Sequence, residues 1–90
     1  MPTVTDNADE NRFEMAVEGH VAFVVYRRAP PNIQLLHAEV PPALEGKGVG
    51  SALVRATLDA LRLEGLKVVP RCPFIAAFIR KNPVYEDMLA

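Results

Sequence analysis

The residues of this sequence best suited to binding chemistry form a glycine-rich stretch from Glu45 to Ser51. It reads Glu-Gly-Lys-Gly-Val-Gly-Ser and holds three of the chain's five glycines, at alternate positions. An amphipathic helical pattern follows directly, so successive backbone N–H groups would point at one spot where the helix dipole favours negative charge. The stretch therefore predicts a phosphate cradle. The alternative is an ordinary flexible helix start, because glycine is tolerated at a helix N-cap.

The spacing excludes two familiar phosphate-binding motifs. A P-loop requires Ser or Thr directly after its lysine, whereas Gly48 follows Lys47. The dinucleotide-binding fingerprint, counted from Gly48, would need a glycine where Leu53 stands. A phosphate bound here would therefore belong to another class of ligand.

Two titratable residues, His37 and Glu39, lie shortly before the glycine-rich stretch. Strand alternation predicts that they share one face with Ile33 and Leu35. That face turns from apolar to ionisable toward the strand end nearest the glycines. Either His37 or Glu39 could remove a proton from an incoming amine. The alternative for His37 is a hydrogen-bonded histidine of the core.

Cys72 and Tyr85 are the remaining candidates for chemistry. Cys72 lies at or just before a predicted helix N-terminus, beside Arg71, and that setting favours the thiolate. It could act as a nucleophile or be a small buried hydrophobe. Tyr85 could donate a proton or simply pack in the core. The two histidines and one cysteine are spread along the chain, so we expect no metal site.

Composition predicts a single domain in a reducing compartment, the cytoplasm. A chain of 90 residues, half of them hydrophobic, can form one core, and its single cysteine allows no internal disulfide. The net charge of −1 argues against broad capture of nucleic acid. No segment approaches the roughly 20 apolar residues of a membrane span. Residues 1–11 are polar and acidic, so we expect a disordered tail there rather than a signal peptide, with the domain at residues 12–90.

Hydrophobic periodicity predicts four strands and two helices in that domain. The strands are residues 12–17, 20–27, 33–40 and 66–69, and the helices are residues 49–64 and 73–81. Glu18-Gly19 predicts a tight turn, and Gly65 ends the first helix. A strand, helix and strand in succession implies a parallel pair with a right-handed crossover. The predicted fold class is α/β (α+β), with a mixed sheet of about four strands.

Several of these segments together resemble the GNAT acetyltransferases. The strand ending in Val40-Pro41, the turn Gly46-Lys47-Gly48-Val49-Gly50 and the helix start Ser51-Ala52-Leu53 resemble motif A of that superfamily. His37-Ala38-Glu39-Val40-Pro41, Cys72-Pro73-Phe74-Ile75 and Asn82-Pro83 look like the very short, single-domain N-acetyltransferase-like proteins. The likeness covers Phe13 to Leu89.

The resemblance implies a minimal GNAT-like fold that binds acetyl-coenzyme A, with a mainly antiparallel sheet, a crossover helix and a shorter C-terminal helix. The coenzyme would lie where the third and fourth strands splay apart, with its pantetheine arm beside Val40 and its pyrophosphate on the glycine turn. Cys72 would border its thiol or adenine end. The implied cofactor-binding residues are Val40, Lys47, Gly48, Val49, Gly50, Ser51, Phe78 and Asn82.

The implied activity is transfer of an acetyl group to an amine. In a direct route Glu39 or His37 takes the amine proton, whereas in a covalent route Cys72 first receives the acetyl group, with His37 as its base. Tyr85 is the candidate proton donor. The rival interpretations are a non-catalytic module that binds coenzyme A or an acyl group, and a structural domain without a ligand.

The sequence departs from the family pattern at two points. Glu45 stands where Gln or Arg is usual, and we expect it to point outward, with Lys47 offsetting part of its negative charge. In longer relatives N-terminal helices form much of the acceptor pocket, and we expect no such helices in this sequence. The acceptor, a small molecule or a protein, is therefore undefined, and a homodimer partner is one way to complete the pocket.

Overall fold

A five-stranded sheet with two helices packed on one face makes up the structure, a computed structural model that describes residues 3–90. The strands stand in chain order, antiparallel from β1 to β4, with β5 parallel to β4. The predicted mixed α/β fold is confirmed, with five strands rather than about four. The elements are β1 Thr5–Asn7, β2 Arg12–Val17, β3 His20–Ala29, β4 Asn32–Glu39, α1 Val49–Glu64, β5 Lys67–Pro70 and α2 Pro73–Lys81.

The additional strand, β1, lies in the segment for which we expected a disordered tail. It pairs with β2 through three residues, and a short 3₁₀ turn, Ala8–Glu10, follows it. Polar side chains hold it in place: the Tyr26 hydroxyl and the Arg28 guanidinium both donate to Asp6, and Asn7 donates to Glu14. Hydrophobic periodicity therefore could not reveal it. The expected tail also included Met1 and Pro2, which lie outside the described residues.

A β-bulge in β4 changes which residues face the helices. Val25 pairs with His37 and Tyr26 pairs with Leu35, so Leu36 is an extra residue without a cross-strand partner. The expectation that Ile33, Leu35, His37 and Glu39 share one face is wrong for this reason. Ile33 and Leu35 are buried beneath the helices, whereas His37 and Glu39 are exposed on the other side of the sheet.

One hydrophobic core lies between the sheet and the two helices. Helix α1 contributes Leu53, Val54, Leu58 and Leu61, all fully buried, and α2 contributes mainly Ile75, Phe78 and Ile79. Gly48 and Gly65, both with φ of 73°, bound α1 at the residues predicted from the sequence. None of the helices in residues 3–90 is long and apolar enough to cross a membrane.

The opposite side of the sheet, called the open face below, carries partly exposed apolar side chains and the two titratable residues. Strand β3 is central, as its apolar composition predicted, but its side chains on this face remain accessible to solvent. The Arg12 guanidinium stacks on the Phe23 ring at 4.4 Å. The open face consists of Val21, Phe23, Val25, Leu36, His37 and Glu39.

Candidate functional site

The glycine turn opens the N-terminus of α1 to a ligand. Gly46 and Gly48 have φ of 78° and 73°, in the left-handed region that glycine adopts without strain. Gly48 is the N-cap, and no side chain caps the helix. The first N–H groups of an α-helix have no partner within the helix, and the helix dipole adds positive potential there. This end of α1 is therefore suited to an anion.

A cleft of about 470 Å³ lies directly in front of this helix end. Ala38 and Val40 of β4 form one wall, and Phe74 of α2 forms another. The remaining lining residues come from the end of the preceding loop and the start of α1: Leu44, Glu45, Gly46, Gly48, Val49, Gly50 and Ser51. The cleft thus joins apolar walls to a helix N-terminus, a combination that suits a long ligand with a phosphate group.

Gly50 is the point of closest approach in the cleft. A Cβ atom at this position would lie 3.1 Å from Cζ of Phe74 and 3.6 Å from Cγ2 of Val40. The absence of a side chain therefore allows α1, α2 and β4 to meet here. Glycine at position 50 is explained by this packing, since its φ is not positive.

Strands β4 and β5 diverge beside the cleft, as the resemblance implies. Their pairing ends at Leu35 and Pro70. The backbone N–H groups of Arg71 and Cys72 both donate to the Leu35 carbonyl, at 2.9 and 3.2 Å, and the chain then turns into α2. The part of β4 after Leu35 therefore has no β5 partner, and its backbone edge is available to an extended ligand.

His37 and Glu39 lie on the open face rather than in the cleft. Nε2 of His37 is 3.2 Å from Oε1 of Glu39, and both side chains are more than half exposed. Their neighbours Ala38 and Val40 line the cleft. The end of β4 and the residue after it therefore present apolar side chains to one side of the sheet and two titratable side chains to the other.

Lys47 is turned away from the cleft by an ion pair. Its Nζ donates to Oε1 of Glu18, in the β2–β3 turn, at 2.8 Å, and this contact holds the pKa of Glu18 below its usual value. Glu45 lies at the cleft and makes no side-chain hydrogen bond or ion pair within residues 3–90. Lys47 is paired with Glu18 rather than with Glu45, so the expectation that it offsets part of the Glu45 charge toward a bound anion stays a prediction.

Cys72 is the N-cap of α2, as predicted, but its side chain is buried, with 7% of the residue exposed. It is not among the residues that line the cleft. Its backbone carbonyl accepts from Ala76 in the first turn of α2. The position at the helix start was evident from the sequence, whereas the burial of the thiol was not.

Tyr85, Phe78 and Asn82 form a cluster with α1. The Tyr85 hydroxyl donates to Oδ1 of Asp59 at 2.7 Å, and its pKa is raised, first by burial and then by this hydrogen bond. Arg55 stacks on the Phe78 ring at 5.3 Å and donates to the Asn82 side chain at 3.3 Å. None of these three residues is among those that line the cleft in front of the glycine turn.

The cleft contains residues that the sequence analysis did not select, chiefly Phe74 and Ala38. Phe74 adjoins the buried stripe of Ile75, Phe78 and Ile79 and so resembles a core residue, yet it is 49% exposed. The bulge at Leu36 turns Ala38 toward the cleft. A large aromatic residue in the first turn of a helix was the one available signal.

Known proteins resemble this chain in both fold and sequence. A solution structure of a GCN5-like protein from Staphylococcus aureus superimposes with a TM-score of 0.73 at 27% sequence identity, covering 97% of this chain and 86% of that one. The NATD1 proteins of Bos taurus and Xenopus tropicalis are 36% and 35% identical over 52 and 53 residues, 58% and 59% of this chain. The matched regions are 46% and 49% of those proteins, so the similarity spans about half the length of these relatives.

The sequence pattern of GCN5-related N-acetyltransferases matches residues 12–88, nearly all of the chain. The match includes β2 to β5, both helices and every residue that lines the cleft. Together with the superposition, it confirms the resemblance found in the sequence. The chain belongs to the GCN5-related N-acetyltransferase family.

Proposed function

We propose that this protein binds acetyl-coenzyme A in the cleft beside α1 and transfers the acetyl group to an amine. The observation that carries the proposal is the continuity between the uncapped N-terminus of α1 and the unpaired edge of β4, which meet in one cleft. The pyrophosphate would accept hydrogen bonds from the N–H groups of the glycine turn. The pantetheine arm would extend along β4 near Val40, between Ala38 and Phe74.

The gap between β4 and β5 would place the thioester within reach of both faces of the sheet. An amine arriving at the open face would meet Glu39 or His37, and either would take its proton as nitrogen attacks the thioester carbonyl. The sheet backbone would polarise that carbonyl. Nitrogen gains the acetyl group, the carbon–sulfur bond breaks, and the thiolate is protonated as it leaves.

The burial of Cys72 favours this direct route over an acetyl-cysteine intermediate. A nucleophilic thiol must reach the thioester carbon, but the Cys72 side chain is enclosed by the core. Tyr85 is a weaker candidate for the proton donor, because its hydroxyl proton is engaged by Asp59. His37 and Glu39 are the two candidate groups that are accessible to solvent.

A test combines calorimetric binding of coenzyme A with thiol release from acetyl-coenzyme A over a panel of amines. We expect Glu39→Gln to lower kcat by roughly a hundredfold, in the range of general-base catalysis, with little change in coenzyme A affinity. Glu86→Gln, at an exposed carboxylate remote from β4, is the control. The proposal of transfer fails if the wild-type protein binds coenzyme A but no amine releases thiol.

Binding of coenzyme A without thiol release would support the rival function, a non-catalytic module that binds coenzyme A. The observation in its favour is that neither Cys72 nor Tyr85 lines the cleft. If coenzyme A does not bind or raise the melting temperature, both functions are excluded and a structural domain remains.

A further inference from the structure

A second cavity lies on the open face, next to the candidate base. Its volume, about 460 Å³, is similar to that of the coenzyme A cleft. Val25 and Leu36 form an apolar part of its lining, and Glu10 and Arg27 add one charge of each sign. Val25 is the cross-strand partner of His37, and Leu36 directly precedes it. The β4 bulge therefore sets the cavity and His37 side by side on the same face.

The two arginines at this cavity differ in what they bind. Arg28 donates to Asp6 and to Glu64, both at 2.9 Å, and so is fully engaged. Arg27, which is exposed, makes no side-chain hydrogen bond or ion pair with any of residues 3–90. The Glu10 carboxylate also lacks a side-chain partner in that part of the chain. The cavity thus offers a guanidinium and a carboxylate that do not neutralise each other through direct contact.

We infer that this cavity holds the acyl acceptor and that the acceptor is a free diamino acid. Its carboxylate binds Arg27, its α-ammonium group faces Glu10, and its side-chain amine reaches toward His37 and Glu39. Val25 and Leu36 contact the methylene chain. The inference rests on the proposed acetyl transfer and adds the class of acceptor and the residue that selects it.

The strand geometry fits an acceptor of this length. Arg27 and Val25 are two residues apart on β3, which is about 7 Å at the usual rise of a strand. Since Val25 pairs with His37, the backbone positions of Arg27 and His37 are separated by about two residues along a strand and one strand spacing, which is comparable to the length of a diamino acid. An Arg–carboxylate pair is charge-assisted and can be bidentate, so it selects strongly for an acceptor with a carboxylate.

The experiment measures L-lysine, cadaverine and 6-aminohexanoic acid as acceptors with acetyl-coenzyme A. Cadaverine lacks the carboxylate that Arg27 would bind, and 6-aminohexanoic acid lacks the α-ammonium group that Glu10 would face. We expect kcat/KM for lysine to exceed that for cadaverine by about tenfold or more, the usual value of one charge-assisted contact. Arg27→Gln should lower kcat/KM for lysine toward that for cadaverine and so abolish the preference. Arg80→Gln, at an exposed arginine on α2, is the matched control and should keep it.

A binding measurement separates failure of this inference from failure of acetyl transfer. Lysine added to the complex of the protein with coenzyme A should shift the backbone amide resonances of Arg27 and Leu36, and Arg27→Gln should remove the shifts. Such shifts without turnover would sustain the diamino acid site and reject transfer. Turnover without preference for the carboxylate, or acceptance of lysine only within a polypeptide, would reject the site and sustain transfer. If neither resonance shifts nor turnover are seen, both the diamino acid site and acetyl transfer are rejected.

Discussion

Lys47 in the glycine turn donates to Glu18 in the β2–β3 turn, with 2.8 Å between Nζ and Oε1. The two residues are 29 positions apart in the sequence, so the contact ties the tip of a hairpin to the proposed pyrophosphate site. It also keeps the Glu18 carboxylate close to the glycine turn, where the pyrophosphate of coenzyme A would bring two negative charges.

Replacing Glu18 should therefore strengthen binding of coenzyme A. In Glu18→Gln the lysine is released from its ion pair and becomes free to bind phosphate. Exposed ion pairs are weak, so we expect affinity to increase only by roughly two- to fivefold. Calorimetric titrations at low and high salt would measure this. Lys47→Met should weaken binding of coenzyme A. Equal affinities in the wild type, Glu18→Gln and Lys47→Met would show that neither Glu18 nor Lys47 acts on the site.

Gly50→Ala should weaken coenzyme A binding while leaving the fold intact. The added methyl group would lie 3.1 Å from the Phe74 ring and project into the cleft. The ring is the end of a flexible side chain and can move, and alanine favours helix, so we expect little change in melting temperature. Affinity should fall by about tenfold, the effect of losing one or two good contacts.

The double variant Gly50→Ala/Phe74→Ala is the control for crowding. If the ring causes the loss, its removal should recover part of the affinity. Unchanged binding in Gly50→Ala would mean that the ligand does not use this part of the cleft.

Cys72→Ala should retain acetyl transfer. The thiol is buried and does not line the cleft, so its removal should cost stability rather than turnover. Mass spectrometry after treatment with acetyl-coenzyme A should find no acetyl group on Cys72. An adduct on that residue, together with an inactive but folded alanine variant, would establish the covalent route instead.

The two tyrosines should make the fold sensitive to alkaline pH. Burial, followed by hydrogen bonding to Asp6 and Asp59 respectively, raises the pKa of Tyr26 and of Tyr85. An unfolded phenol titrates near pH 10, so the stability these groups contribute is fully present below about pH 10 and is lost as pH rises through the folded-state pKa values.

Tyrosinate absorbance gives a direct measurement of this effect. Both phenols of the folded protein should titrate above the value of the denatured chain, and Tyr85→Phe should remove one of the two transitions. A normal titration of the remaining tyrosine or of the wild-type protein would contradict the burial described here.

Thr57→Val should stabilise the protein. Thr57 is fully buried on α1, and its hydroxyl has no hydrogen-bond partner in residues 3–90. Valine has nearly the same shape and removes the unsatisfied group, so we expect a gain of about 1 kcal/mol in the free energy of unfolding. Urea denaturation would measure it. Thr57→Ser, which keeps the hydroxyl and loses the methyl group, should instead destabilise, and a stability loss in the valine variant would reveal an unrecognised partner.

The helices could be predicted from the sequence because their signals are local. Gly48 and Gly65 bound α1, and Pro73 begins α2, so each end is encoded within a few residues. The uncapped N-terminus of α1, the end of the candidate site that is suited to an anion, follows from the same local pattern. The walls that Phe74 and Ala38 add to the cleft did not follow from it, since they depend on the packing of α2 and on the β4 bulge.

The side of the sheet that each residue faces could not be predicted in the same way. The orientation of His37 depends on the extra residue Leu36, and the bulge is defined by pairing with Val25 and Tyr26 on another strand. Strand β1 likewise depends on Asp6 meeting Tyr26 and Arg28, which lie 20 and 22 positions away. Contacts between distant residues decided both features, and periodicity within one segment carries no information on them.

The order of the strands has a consequence for how the chain folds. Because β1 to β4 follow one another in space as in sequence, they can form by successive local hairpins, which close quickly. Strand β5 must wait for the α1 crossover, since parallel pairing requires closing a longer loop. The cleft lies at this junction, which we expect to form last. A ligand bound there would bridge the two folding units, and it should slow hydrogen exchange at β5 and α2 more than in the meander.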